Sequence, residues 1–164
     1  MSRLPHLTES GEVHIVDVGD KAATRRVAIA EGRILMQPET LRAIREQQIK
    51  KGDVLAVARI AGLMAAKKTA EIVPLCHPIA LTHAEVVITP REDGTGLDCR
   101  AEAVTVERTG VEMEAIHAVQ AALLTVYDMC KAMDRGMEIT GIRLLHKSGG
   151  RSGDYNRDPA SAAS

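Results

Sequence analysis

A chain of 164 residues with 45% hydrophobic side chains carries enough apolar material for a core, and a domain of ~150 residues buries about 70% of its unfolded surface. Phe and Trp are absent and Tyr127 and Tyr155 are the aromatics, so the core must be aliphatic and stacking platforms for single-stranded nucleic acid are missing. A formal net charge of -1 gives no overall attraction to nucleic acid or to an anionic membrane.

Residues 1–20 are polar with mixed short signals and read as an irregular arm. They hold no apolar run of the signal-peptide kind, and no later stretch approaches the ~18 apolar residues of a membrane span. Thr24–Met36 alternates in part and predicts a strand, with Gly32 as a bulge or turn. Pro38 suits the first turn of a helix, and Glu39–Gln47 reads as a short amphipathic one. Asp53–Lys68 predicts the first long helix, with Asp53 as N-cap and a surface of Ala and Gly that lets another backbone approach. Residues 83–90 and 96–107 predict two strands joined at Arg91–Gly94.

Thr109-Gly110-Val111-Glu112 matches a capping box. The helix that follows should run to Arg135 or Gly136, where glycine can supply the stop. Ile116, Val119, Leu123, Val126 and Cys130 form the stripe expected on the sheet. Ala118, Ala121, Thr125, Met129 and Ala132 suit close contact with another helix. So little ordinary solvent face remains that burial by another subunit is expected. Glu138–His146 predicts a last strand, and Tyr155–Ser164 a disordered tail. The order corresponds to two βαβ-like halves. It predicts an α+β ferredoxin-like sandwich, an antiparallel sheet with helices on one face, in one catalytic domain over 1–154.

The chemistry concentrates in polar islands. Asp128 and Lys131 share a helix face inside the apolar run AALLTVYDMCKA, which suggests an acid/base pair in a cleft rather than a solvated ion pair. Lys51 precedes a helix start. Pro74 and Pro78 stiffen a loop presenting Leu75, Cys76 and His77. Glu112 is accounted for by the capping box, which leaves Glu114 as the better ligand candidate. Lys147–Asp154 (KSGGRSGD) combines backbone amides, hydroxyls and cations as in an anion nest, without the spacing of a Walker loop. Cys76, Cys99 and Cys130 show no CxxC spacing, so reduced thiols in a cytoplasmic protein are expected. Neither a resident metal nor a cofactor is implied.

HIVDV at 14–18, KGDVLAVARIAGLMAAKKT at 51–69, IVPLCHPIAL at 72–81, TGVEMEA at 109–115, YDMCKA at 127–132 and KSGGRSGD at 147–154 together resemble the cyclic pyranopterin monophosphate synthase family of molybdenum cofactor biosynthesis. The likeness covers roughly residues 6–155. It implies a ferredoxin-like lyase that converts a cyclised dihydro-GTP intermediate to the cyclic pyranopterin and releases pyrophosphate. It further implies a homohexamer, a trimer of dimers with sites between subunits. Carried over residue by residue, Asp128, Lys51, Lys131 and His77 become catalytic, and Leu75, Cys76, His77, Met113 and Glu114 contact substrate. Arg26, Lys67 and Lys147 hold phosphate, and a divalent cation arriving with the triphosphate is compatible with that set. The competing expectation is a non-catalytic nucleotide-binding or regulatory module on the same fold.

Overall fold

Residues 5–159 are described by a computed structural model of the chain. Its elements are β1 (Thr24–Leu35), α1 (Pro38–Arg45), α2 (Val54–Lys67), α3 (Thr69–Ile72), β2 (Leu81–Pro90), β3 (Gly96–Glu107), α4 (Glu112–Cys130), β4 (Glu138–Ser148) and β5 (Tyr155–Asn156). The strands form one antiparallel sheet in the order β2-β3-β1-β4-β5. With α2 and α4 packed together over one face, this is the predicted ferredoxin-like α+β sandwich.

Alternation decides which face of the sheet is covered. Ala28, Ala30 and Ile34 of β1, with Leu97, Cys99, Ala101 and Ala103 of β3, point inward and are buried. The helices answer with Val119, Leu123, Val126 and Cys130, all at most 1% exposed. Small residues set the layer spacing. A Cβ at Gly32 would lie 2.8 Å from Val119 and 2.9 Å from Ile142, so α4 rests directly on the β1 backbone. A register shift between Glu31 and Arg33 against β4 marks the same place as the expected bulge. At Gly62 a Cβ would meet the Ala118 carbonyl at 2.9 Å, which is the close helix contact that the small-residue surfaces predict.

Asp53 caps α2 as expected, its carboxylate accepting from the Ala56 amide at 3.1 Å. The expected capping box of α4 does not form. Val111 is the N-cap and no side chain caps it. The Glu112 carboxylate instead pairs with Lys147 at 3.1 Å, so a tertiary ion pair outcompetes the local cap. α4 also ends at Cys130, earlier than expected. The chain then turns so that buried Asp134 accepts from the Gln37 amide and the Thr40 hydroxyl at the start of α1.

A second correction concerns the tail. Tyr155–Asn156 pairs with β4 instead of being disordered, and the Arg157 amide donates to the Leu145 carbonyl at 2.8 Å. An open strand edge recruits main chain whatever the side chains are, so the apolar content of the tail is a poor guide. Residues 160–164 of that expected tail, and 1–4 of the arm, lie outside the described residues. Among the described residues no helix is long and apolar enough to cross a membrane.

Candidate active site

The chemistry-bearing residues gather at the two ends of α4. At its C-terminal end the Lys51 ammonium donates to the Asp128 carboxylate and to the Asp128 carbonyl, each at 3.0 Å. Lys131, one turn on, donates to the other carboxylate oxygen at 2.8 Å. Hydrogen bonds from Lys131 and then Lys51 hold the Asp128 carboxyl below the usual carboxylate range. The trio unites residues that are 77 positions apart in the chain, so it is more than the intrahelical pair that the spacing alone allows. It is not enclosed in a cleft, however: the Asp128 side chain is 55% exposed and those of Lys51 and Lys131 about half exposed. Val126, Met129 and Cys130, apolar neighbours of Asp128 in the sequence, are buried, while its own position faces outward.

At the N-terminal end of α4 the setting is opposite. A cavity of about 570 Å³ is lined by Cys76, His77, Met113, Glu114, Lys147 and the arm residues His6 and Val16, among others. Leu75 lines it too, so all the expected substrate contacts share one cavity. Glu114 is 3% exposed. Burial pushes its carboxyl up to about 7, with Glu112 adding to the effect, so it can stay protonated and donate near neutral pH. Burial also raises the Cys76 thiol, as do Glu114 and Glu112; a thiolate nucleophile there is disfavoured. His77 reaches the Val16 carbonyl through Nε2 at 2.7 Å.

A second cavity, about 490 Å³, adjoins the first across Lys21, Thr109, Gly110, Glu112 and Lys147. Lys21, Arg26, Arg108, Lys147 and Arg151 line it, beside the Ser148–Ser152 loop. Gly149 and Gly150 take φ of +87° and +85°, and a Cβ at either would strike Arg25 or Arg26. Only glycine lets this loop wrap the Arg26 guanidinium, whose Nε donates to the Glu107 carbonyl at 2.9 Å. Lys147 also donates to the Ser152 hydroxyl at 2.9 Å. Cations and left-handed glycines thus surround one hollow, the inventory an anion would need.

Of the residues expected to hold phosphate, Arg26 and Lys147 line this hollow, whereas Lys67, exposed at the end of α2, lines neither cavity. Lys21, Arg108 and Glu112 are the additions. Lys21 and Arg108 sit in loops with no local pattern to mark them, and the Glu112 signal was absorbed by its match to a capping box. His117, also on α4, plays a structural part. The Thr69 hydroxyl donates to the Ala65 carbonyl and so accepts from His117 Nδ1, which fixes the junction of α2 and α3 against α4. Among the described residues no three His, Cys, Asp or Glu side chains are placed to hold a metal ion.

Comparisons with known proteins place the whole chain within one family. The model of the MoaC family matches residues 15–150. Proteins from Methylobacterium sp., Thermomicrobium roseum and Chloroflexus aggregans, each named cyclic pyranopterin monophosphate synthase, are 58%, 56% and 55% identical. The aligned regions cover 98%, 96% and 96% of this chain and 100%, 95% and 96% of the relatives. With one family model across most of its length and such relatives from end to end, the chain belongs to the MoaC family of enzymes.

Proposed function

We propose that the chain is a cyclic pyranopterin monophosphate synthase of molybdenum cofactor biosynthesis, a lyase acting in the cytoplasm on the cyclised dihydro-GTP intermediate and releasing pyrophosphate. The observation that carries this reading is the pair of adjoining hollows, one ringed by Lys21, Arg26, Arg108, Lys147 and Arg151, the other lined by Cys76, His77, Met113 and Glu114. A nucleotide with a triphosphate at one end and a fused heterocycle at the other has that polarity. The cationic hollow suits the charge that develops as pyrophosphate leaves. Glu114, carrying its proton near neutral pH, offers the heterocycle a buried hydrogen-bond donor.

Ring opening and rebuilding need proton transfers, which this reading gives to Lys51, Lys131 and Asp128. The carboxylate orients both ammonium groups, so a proton can pass between lysine and substrate with little reorganisation. Asp128 lies about 22 Å along α4 from Met113, and one copy of the chain therefore does not complete the site. In this reading a second copy supplies the Lys51–Asp128–Lys131 trio, with Lys67, to the cavities of the first, within a homohexamer built as a trimer of dimers. Val57, Ile60, Met64 and Leu124, exposed on the helical layer, support such a partner, since burial of large apolar side chains drives association.

The test is pyrophosphate release from the cyclised dihydro-GTP intermediate. The wild-type chain releases it steadily and the Lys51→Ala variant loses most of that rate. Tight binding of the substrate by the wild-type chain with no pyrophosphate formed would overturn the reading.

A further inference from the structure

Among the described residues the arm before β1 contributes nothing to the core: the buried apolar side chains begin at Val27. Its fold is nonetheless specific. A small turn is closed by the Leu7–Val13 bridge and by the His14 amide donating to the His6 carbonyl. From there the chain passes along the first cavity, where His6, Val16, Val18 and Lys21 form one wall. Two side chains of the candidate site tie it down. His77 bonds the Val16 carbonyl at 2.7 Å and Arg108 donates to the Gly19 carbonyl at 2.8 Å.

The His77 contact has a chemical consequence. A carbonyl oxygen only accepts, so Nε2 must carry the proton. In a neutral imidazole the lone pair then lies on Nδ1. No other hydrogen bond involves the His77 ring among the described residues, and the ring lines the cavity. We propose that the N-terminal arm is a working part of the site, a strap whose Val16 carbonyl orients His77 and holds it in the Nε2–H tautomer so that Nδ1 serves the cavity as an acceptor. Val16 is thus a positioning residue, acting through His77. Nδ1 takes a hydrogen bond from an N–H or O–H of the bound heterocycle. A strap also keeps water from the exchange of protons at that end of the site. The assignment rests on the cavity being the nucleotide's site, but the tautomer itself does not.

Nitrogen-15 NMR of the histidine rings in the ligand-free, full-length protein tests it first, with His77→Gln used to assign the signal. The expected spectrum shows His77 as the Nε2–H form; an Nδ1–H form would overturn the proposal. Kinetics test the working role. A chain starting at Lys21, checked for an intact melting transition, should lose roughly tenfold in kcat/KM, the scale of one net hydrogen bond. Its His77 signal should move toward a tautomer mixture. Combined with His77→Gln, the truncation should cost no more than the worse of the two alone. Multiplied losses, or an unchanged tautomer in the truncated chain, would show that the strap does not act through His77. Absence of turnover in the wild-type chain would instead contradict the proposed function and leave the NMR result standing.

Discussion

The two ends of α4 hold acidic groups in opposite states. Asp128, at the C-terminal end, is half exposed and bound by two lysines, and its carboxyl stays below the usual range. Glu114, at the N-terminal end, is 3% exposed and its carboxyl rises to about 7. Both sit on one helix, so neither helix propensity nor local sequence accounts for the contrast. Exposure and neighbours do. One end encloses its carboxyl within a single copy of the chain. The other presents open charges, whose interactions strengthen only where water is removed from them.

Removing charge from the open end should give the largest effect on rate with the least on folding. Asp128→Ala and Lys131→Ala are each expected to lower kcat/KM for pyrophosphate release by about 10²–10⁴-fold, the range of lost acid–base groups. Melting temperatures should hardly change, because exposed ion pairs add little to stability. A large fall in melting temperature with either variant would mean that the trio is structural, and the contrast between the ends would disappear.

The middle of the helix should show the reverse. Leu123 is fully buried, and Leu123→Ala should cost roughly 2–5 kcal/mol in denaturant unfolding through the cavity it leaves. Activity per folded molecule should fall much less than with the variants at the C-terminal end.

The enclosed end is sharpened by pH. Glu114 binds its proton more tightly folded, at about 7, than unfolded, near its ordinary value of 4.5. The folded state then holds more protons than the unfolded one between those values, and stability must fall as pH rises through that window. That contribution is fully present below 4.5 and gone above about 7, and it is on the order of 3–4 kcal/mol at most. Glu114→Gln should flatten this segment of the stability profile, as followed by denaturant unfolding from pH 4 to pH 8. An unchanged slope would show that Glu114 is not the group responsible.

The smallest effect belongs to the anion hollow. Lys147→Ala, which also frees Glu112, should weaken inorganic pyrophosphate binding in calorimetry by about tenfold, as one charged hydrogen bond suggests. Lys67→Ala should leave that affinity unchanged in a chain held monomeric. Equal losses from both would place Lys67 in the same hollow, against its position at the end of α2.

Legibility in the sequence followed the range of the forces involved. β1, α2 and the β2–β3 hairpin were readable because alternation, the Asp53 cap and the Arg91–Gly94 turn are local. The α4 start misled because the Glu112–Lys147 ion pair crosses the fold. β5 was missed because strand pairing depends on a free edge, not on apolar content. In the site, Leu75, Cys76, His77, Met113 and Glu114 share the cavity expected of them. The convergence of Lys51, Asp128 and Lys131 on that cavity is not met within one chain. Periodicity marks Asp128 and Lys131 as sharing a face away from the stripe on the sheet, but that Lys51, 77 positions away, joins them is a tertiary matter. Nothing in the polar arm announced that its backbone would meet His77.

A site divided between copies is tested most directly by mixing two inactive variants, Lys51→Ala from the open end and His77→Ala from the enclosed end. The two are unfolded together and refolded so that subunits exchange. Pyrophosphate release should return in the mixture to a substantial fraction of wild type, because some interfaces then pair an intact cavity with an intact lysine–aspartate trio. A mixture of confirmed mixed oligomers as inactive as its parents would show that each chain builds its whole site alone.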